Sequence, residues 1–543
     1  MLQELPIGIQ SFADLRSKGY LYVDKTQVIH RLITSGKPFF LSRPRRFGKS
    51  LLVSTMEEIF KGNKALFKGL WIENNWDWTV SHPVIRIDFG GMAFDTPEAL
   101  VRSLMASLKE VAQAYEIVLE AEDVAYRFRE LIHKLHQSQK QQVVILVDEY
   151  DKPIIDHLND LEKADKNRAI LHDFYQVMKA ADEHLHFIFL TGVSKFSKVS
   201  IFSGLNNLRD ITLDARFATI CGYTQAELES YFDPHIEQMS QKEELTKQQT
   251  IEKIKYWYDG YSWDGVNFVY NSFSTLLLFD IQEFKDHWFS TGSPTFIVNI
   301  LKKHNDVQSL MVPFQMEATD FDSFDIQTIN PRILMFQTGY LTVKKKEQDP
   351  FGVTMLYTLG VPNEEVNQAL TRHLLANYAE ISLPEVNEGC RQMMRQLVSG
   401  DSQQFERSLQ AMFARIPYQL WGSDEKYYHS MLLLWLNALG FKPDAEVCTD
   451  KGRIDAVWTW QERVVIAEVK YAASDGDKDA ASDGGKDIAD NAATTAKLLD
   501  TALAQIREVR YYERYAGENK RIALLGVAFV GKEIACRMEE LSS

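Results

Sequence analysis

The chain has 543 residues, too many for one hydrophobic core, so two to four domains are expected. Its 45% hydrophobic and 12% aromatic content can fill those cores. A net charge of -15 excludes a polycation that coats nucleic acid nonspecifically, while leaving room for a local basic groove.

Cys221, Cys390, Cys448 and Cys536 lie far apart and form no CxxC pair. That spacing argues against a zinc knuckle or a disulfide scaffold and fits a reducing compartment. The first residues, "MLQELPIGIQSFADLRS", show no basic n-region followed by an apolar h-region. No apolar run approaches the roughly twenty residues of a membrane span. The expectation is a soluble, cytoplasmic protein without a membrane partner.

Short apolar runs come first. "PFFLS" (38–42), "VIRIDF" (84–89), "VVILVD" (143–148) and "HFIFLTG" (186–192) read as strands without polar alternation. Strands covered on both faces of a parallel sheet have that look. Amphipathic stretches at 97–119 and 123–138 alternate with them, which predicts a doubly wound α/β domain over residues 1–222.

The first run leads into "FFLSRPRRFGKSLLVSTM" (39–56). A phosphate-binding loop works because successive backbone N–H groups and a helix N-terminus face the phosphates. Lysine then reaches the β/γ-phosphates and the next hydroxyl holds magnesium. Gly48, Lys49 and Ser50 fill the last three places of GxxxxGK[ST], but Arg43 stands where the first glycine belongs. Pro44 can fix the turn in another way, and Arg43, Arg45 and Arg46 are expected to add positive charge near the phosphates. The candidate nucleotide-binding residues are Arg43, Pro44, Arg45, Arg46, Phe47, Gly48, Lys49, Ser50 and Leu51.

"QQVVILVDEYDKP" (141–153) is a buried strand ending in two acids. Carboxylates at the carboxyl end of such a strand sit at the cleft of the sheet. Asp148 can hold magnesium with Ser50, and Glu149 can polarise the attacking water. After the next strand, Thr191 or Ser194 could sense the γ-phosphate between the two motifs, or both could cap the following turn.

Residues 223–415 read as a mostly helical, aromatic middle region, with "IEKIKYWYDGYSW" (251–263) as its densest aromatic stretch. Such aromatics form either the core of a helical lid or a surface on which bases stack. His287 and His429 have no second ligand at helical spacing and are assigned to no metal. A third domain is expected over 416–543. Within it, 473–495 is poor in large apolar residues and reads as a flexible insertion, followed by a helix over 496–515 and a strand over 521–530.

The segment "EVCTDKGRIDAVWTWQERVVIAEVKY" (446–471) carries a second constellation. With period two, Glu468 and Lys470 share a strand face, and Asp455 on the neighbouring strand can meet them. Two carboxylates and a lysine there suit a magnesium site at which a phosphodiester is cleaved. The plainer possibility pairs Asp455 with Arg453 or Lys470, and Glu446 is a rival carboxylate.

"YLYVDKTQVIHRLI", "FFLSRPRRFGKSLL", "VVILVDEYDKP" and "TGVSKFSKVSIFSGLNNLRDIT" resemble the bacterial AAA-ATPase-like family whose members end in a PD-(D/E)XK nuclease-like domain. "WYDGYSW", "VYNSFSTL", "HWFSTGSP" and "FQTGYLTV" resemble its middle region. An arginine in the loop is usual in that family. The resemblance implies a P-loop AAA-like parallel-sheet domain, a mostly helical middle region and a restriction-endonuclease-like α/β domain.

It also implies ATP and Mg2+ as cofactors. Asp455, Glu468 and Lys470 become the nuclease-like core, Glu425 an additional carboxylate opening a helix, and Gln505 a glutamine facing the same site. The expected partner is nucleic acid, DNA ahead of RNA, with homo-oligomerisation left open. An ATP-regulated nuclease is the leading expectation. The other is a nucleotide-dependent switch whose nuclease-like domain only binds nucleic acid or a protein.

Overall fold

The computed structural model describes residues 2–195, 207–288, 301, 313–322, 330–399, 402–413, 425–441, 443–449, 452–460, 462–473, 486–515, 520–531 and 533–541. It divides into two units, the first built from residues 1–291 and 314–365, the second from 292–313 and 366–543. The stretch 223–415, expected as a segment of its own, is therefore shared between them. Among the described residues no helix is long and apolar enough to cross a membrane.

The first unit is built on a parallel sheet of β1 (Phe39–Ser42), β2 (Val84–Asp88), β3 (Val143–Asp148), β4 (Leu185–Gly192) and β5 (Arg209–Asp210). They lie in the order β2-β3-β4-β1-β5, and each neighbouring pair is parallel. β3 is buried along its whole length, which explains why its sequence shows no alternation. Because β4 lies between β1 and β3, the carboxyl ends of three strands converge where the two acidic and basic motifs emerge. Gly192 closes β4 against Tyr150 and Asp151. A Cβ at that position would lie 2.4 Å from the Asp151 carboxylate.

The former middle region contributes a second core to this unit, where Leu228, Phe232, Ile254, Tyr258, Tyr270 and Phe279 pack together. It also contributes a small antiparallel sheet of β6 (Phe314–Glu317), β7 (Thr342–Gln348) and β8 (Met355–Gly360), in the order β6-β8-β7. That sheet is absent from the sequence-based expectation. "TVKKKEQ" in β7 is polar beyond its first two residues, so nothing in it marks a buried strand.

The second unit holds β9 (Asp444–Thr449), β10 (Gly452–Trp460), β11 (Arg463–Ala472), β12 (Arg521–Val530) and β13 (Glu533–Glu540) in one mixed sheet, ordered β13-β12-β11-β10-β9. Only β11 and β12 run parallel, joined through the helix Lys486–Glu508, whose Leu503 and Ile506 pack onto Ile466 and Leu524. This helix starts inside the stretch read as a flexible insertion. Alanine-rich sequence such as "DNAATTAKLLDTALAQ" has few large apolar residues, yet alanine is the strongest helix former. Residues 474–485 of that stretch lie outside the described residues.

Glu365 is a fully buried acid of the first unit. Its Oε1 accepts hydrogen bonds from Ser274 Oγ at 2.9 Å and from the Trp288 backbone N–H at 2.7 Å. Burial pushes its acid up to about 8. The native state thus keeps a proton that the unfolded chain releases near pH 4, so stability should fall as pH rises from there towards 8. Glu365→Gln should flatten this loss, which is about 5 kcal/mol at most. Urea unfolding of both proteins at pH 6 and pH 8.5 checks it, and equal pH dependence would contradict the assignment.

Candidate functional site

At the end of β1 the chain turns through residues 43–48 and enters the helix Lys49–Phe60. Gly48 is left-handed at φ 85°, a conformation glycine adopts without a Cβ penalty, and Arg46 takes φ 70° beside it. The Lys49 ammonium is buried and donates to the carbonyls of Arg43 at 3.0 Å and Pro44 at 2.9 Å. Burial lowers its pKa, against the raising effect of Asp148, Glu149 and Asp151.

The Arg43 side chain is not where the sequence reading expects it. It is fully buried and donates to the carbonyls of Ser42 at 2.8 Å, Thr212 at 3.0 Å and Phe217 at 3.2 Å. Its guanidinium also covers the Trp263 ring, 3.8 Å from the centroid. Positive charge on the open side of the loop comes from Arg45 and Arg46, which are exposed. Pro44 and Phe47 are buried, so they shape the loop from behind, and Leu51 lies in the first turn of the helix.

Asp148 ends β3, fully buried, with Oδ1 accepting the Glu149 N–H at 3.0 Å. Its Oδ2 is buried with no hydrogen-bond partner. Burial pushes this acid up to about 6, against the pull of Ser50 and Lys49. Glu149 is held at φ 52°, an unusual backbone for a non-glycine residue. Asp88, paired in register with Asp148 at the end of β2, adds a third carboxylate that the sequence reading missed. A Cβ on Gly90 would lie 3.0 Å from both the Asp88 and Glu149 carboxylates. The signal for Asp88 was present, since "VIRID" also ends a buried strand in an acid.

Ser194, offered as a γ-phosphate sensor, stands at the Asp151 carboxylate. It is fully buried, its hydroxyl donates to Asp151 Oδ2 at 2.8 Å, and its N–H donates to the same oxygen at 2.6 Å. Thr191 is likewise engaged, donating to the Leu41 carbonyl at 2.9 Å. Both hydroxyls serve the strand ends.

In the second unit, β10 and β11 pair antiparallel from Trp460↔Arg463 to Ala456↔Ala467. Beyond that point the Asp455 carboxylate takes over from the backbone and accepts the Val469 N–H at 2.8 Å. Its neighbour Glu468 is buried, and Glu468 Oε1 accepts from Lys470 Nζ at 2.9 Å and from Gln505 Nε2. Lys470 thus pairs with Glu468 rather than with Asp455.

Burial and the Asp455 charge push the Glu468 acid up to about 7, with Glu425 adding to them and Lys470 opposing. Burial disfavours the Lys470 ammonium, but the charge and hydrogen bond of Glu468 together with the Glu425 and Asp455 charges outweigh it and hold the pKa above the usual lysine value. Glu425 is exposed at the first turn of the helix Glu425–Ala438. One turn later on that helix, His429 Nε2 bonds the Asp455 carbonyl at 2.8 Å. His429 is therefore a support of the Asp455 strand end, a role its isolation in the sequence did not reveal. Glu446 lies on β9, and its side chain is outside the described residues.

Glu468 Oε2 is buried without a hydrogen-bond partner, as is Asp148 Oδ2. A hard divalent cation fits such oxygens. Among the described residues no three His, Cys, Asp or Glu side chains stand close enough to hold a metal. The donor set therefore suits magnesium, which takes one or two carboxylates and keeps several waters.

Two family descriptions match this chain, "Predicted AAA-ATPase" over residues 6–202 and "PD-(D/E)XK nuclease superfamily" over residues 423–539. A protein of Azotobacter chroococcum mcd 1, "Uncharacterized protein in vnfD 5'region", is 38% identical over 538 residues, covering 97% of this chain and 96% of its own. The chain belongs to the family of predicted AAA-ATPases that carry a PD-(D/E)XK nuclease-superfamily domain. Lys49 and Asp148 lie in its AAA-ATPase-like domain, and Asp455, Glu468 and Lys470 in its nuclease-superfamily domain.

Ser194→Ala should cost the AAA-ATPase-like domain about 1–2 kcal/mol, because it removes a buried donor to Asp151. Nucleotide affinity should stay within about twofold of wild type, since the hydroxyl faces Asp151 rather than the loop. Thermal unfolding and nucleotide titration check the two halves separately, and a large affinity loss in a stable variant would restore the sensor role.

Proposed function

We propose that the protein is an ATP-regulated, magnesium-dependent nuclease that cleaves DNA or RNA phosphodiesters, with DNA the first substrate to test. The observation that carries this reading is the buried Glu468 carboxylate. It is held by Lys470 and Gln505 beside Asp455, with its second oxygen unpartnered.

In the nucleotide site, Lys49 would leave the Arg43 and Pro44 carbonyls to meet the β/γ-phosphates. Ser50 and Asp148 would hold magnesium, and Glu149 would orient the attacking water. In the nuclease site Asp455 and Glu468 would hold the second magnesium, with Glu425 as an additional carboxylate. Bound magnesium would supply charge stabilisation and a more acidic water. Water would lose a proton to solvent and add to phosphorus, the bond to the leaving sugar oxygen would break, and that oxygen would take a proton from solvent. Lys470 would stabilise the negative charge that develops on the non-bridging oxygens, and Gln505 would keep Glu468 turned towards the metal.

Lys49→Ala should weaken nucleotide binding roughly 10- to 100-fold, and Glu149→Gln should keep binding while slowing hydrolysis about 100-fold. Calorimetric titration and phosphate release measure these, and unchanged affinity in Lys49→Ala would refute the placement of the site.

Asp455→Ala and Glu468→Ala should each abolish metal-dependent cleavage, and Lys470→Ala should lower it about 100- to 1000-fold. All three should bind nucleotide as wild type does. A nicking assay over magnesium, ATP and a panel of DNA and RNA forms decides the matter. If wild type cleaves nothing, the chain is instead a nucleotide-dependent switch whose nuclease-like domain only binds its partner.

Because the Glu468 acid lies at about 7, magnesium must displace its proton at lower pH. Magnesium affinity of the nuclease site should weaken up to about tenfold per pH unit below that value. Titration of Asp148→Asn, which lacks the carboxylate proposed for the other magnesium, measures the slope, and a flat profile from pH 5.5 to 7 would exclude Glu468 as a ligand.

A further inference from the structure

The loop after β1 lacks its first glycine and holds Arg46 at φ 70°, a left-handed conformation that side chains resist. Such backbone persists only where its surroundings over-determine it. Those surroundings are aromatic and come from the former middle region. The Arg43 guanidinium lies over the Trp263 ring at 3.8 Å. The Phe47 ring stands edge-on to Tyr261, with centroids 4.7 Å apart, and to Trp263 at 5.5 Å.

The Trp288 indole N–H donates to the Arg45 carbonyl at 3.3 Å, and the Arg46 guanidinium lies 4.4 Å from the Phe273 ring centre. Gly339 at φ 92° comes so close that a Cβ there would lie 2.7 Å from Pro44. Residues 43 to 47 therefore each meet one of Tyr261, Trp263, Phe273, Trp288 and Gly339, all within the same unit.

We infer that Arg43, Trp263 and Trp288 are positioning residues of the nucleotide loop, holding the amides of residues 46–50 in the arrangement that phosphate requires. The aromatic motif "YWYDGYSW" then serves the loop from behind rather than stacking bases. The inference rests on the nucleotide-binding reading given above.

The test combines hydrogen exchange of the Arg46–Ser50 amides in nucleotide-free full-length protein with titration of magnesium–ADP. Trp263→Leu should speed exchange at those amides about tenfold and weaken ADP about tenfold, with β3 and the helix Glu425–Ala438 unchanged. Trp263→Tyr should recover most of both, because a tyrosine ring still offers a face to the guanidinium. Arg43→Lys should loosen the loop despite keeping the charge, since an ammonium cannot span three carbonyls. Trp288→Phe, which removes the indole donor and keeps an aromatic ring, should give a smaller effect in the same direction.

Unchanged loop exchange in folded Trp263→Leu would overturn the inference. So would a uniform rise across the first unit that Trp263→Tyr fails to reverse, since that marks general packing. If Trp263→Leu does not fold, wild-type exchange and affinity in both Arg43→Lys and Trp288→Phe overturn it equally. A wild type that binds no ADP would sink the nucleotide reading itself, and the inference with it. ADP binding in wild type with equal binding in all variants sinks the inference alone.

Discussion

A cation buried under the nucleotide loop is the constraint on which the first unit depends. Taking the Arg43 guanidinium out of water is costly unless its donors are used, and three backbone carbonyls and the Trp263 face take most of them. Burial lowers its pKa only to about 10, so it stays charged. With the side chain anchored below, the Arg43 carbonyl faces the Lys49 ammonium, and its N–H donates to the Gly192 carbonyl at 3.2 Å. That bond joins the loop to the end of β4, where Asp151 gathers Val193 and Ser194. The same residue therefore shapes the loop and fixes it to the sheet. An arginine in place of glycine is a different construction of the loop rather than a defect in it.

The two acidic centres, in different units, follow one physical plan. In each, a carboxylate on a strand is buried with one oxygen satisfied and the other without a partner. In each, burial raises the acid, to about 6 at Asp148 and about 7 at Glu468. An uncompensated buried charge opposes folding, so whatever neutralises it stabilises the fold by the same amount that the fold favours its binding. Lys49 and Lys470 supply part of that compensation. Within the proposed function a cation would supply the rest at both positions.

Much of this was legible in the sequence because burial leaves simple patterns. Strands covered on both faces appear as unbroken apolar runs, which gave β1 to β4 nearly residue by residue. Period two on β11 correctly joined Glu468 to Lys470. What failed were statements about direction. A loop arginine next to Gly-Lys-Ser suggests charge facing a phosphate, but the carbonyls of Thr212 and Phe217, some 170 residues away, turn it inward. Ser194 was open to either role until Asp151, forty-three residues earlier, claimed its hydroxyl. His429 seemed purposeless because its partner is a backbone carbonyl, which no side-chain pattern can announce. The helix at Lys486 was hidden for another reason, since alanine-rich sequence carries helix propensity without apolar periodicity.

Within the proposed function, the loop must affect the rest of the chain through packed groups rather than through water. Trp288 touches the loop with its indole, at the Arg45 carbonyl, and touches Glu365 with its backbone N–H. Glu365 is the second residue of the helix Glu364–Tyr378 and the last residue of the first unit, so the chain continues from it directly into the second. The bond to Glu365 is buried and the bond to Arg45 partly so, and a buried donor cannot exchange its partner for solvent without loss. A shift of the Arg45 carbonyl, were phosphate binding to cause one, would have to be absorbed by Trp288, by Glu365 or by the helix that Glu365 begins. Of these, Trp288 is packed against Tyr340, with ring centroids 5.3 Å apart, and Glu365 is tied to Ser274. The start of the helix is the part of this chain of contacts from which a displacement continues along the backbone.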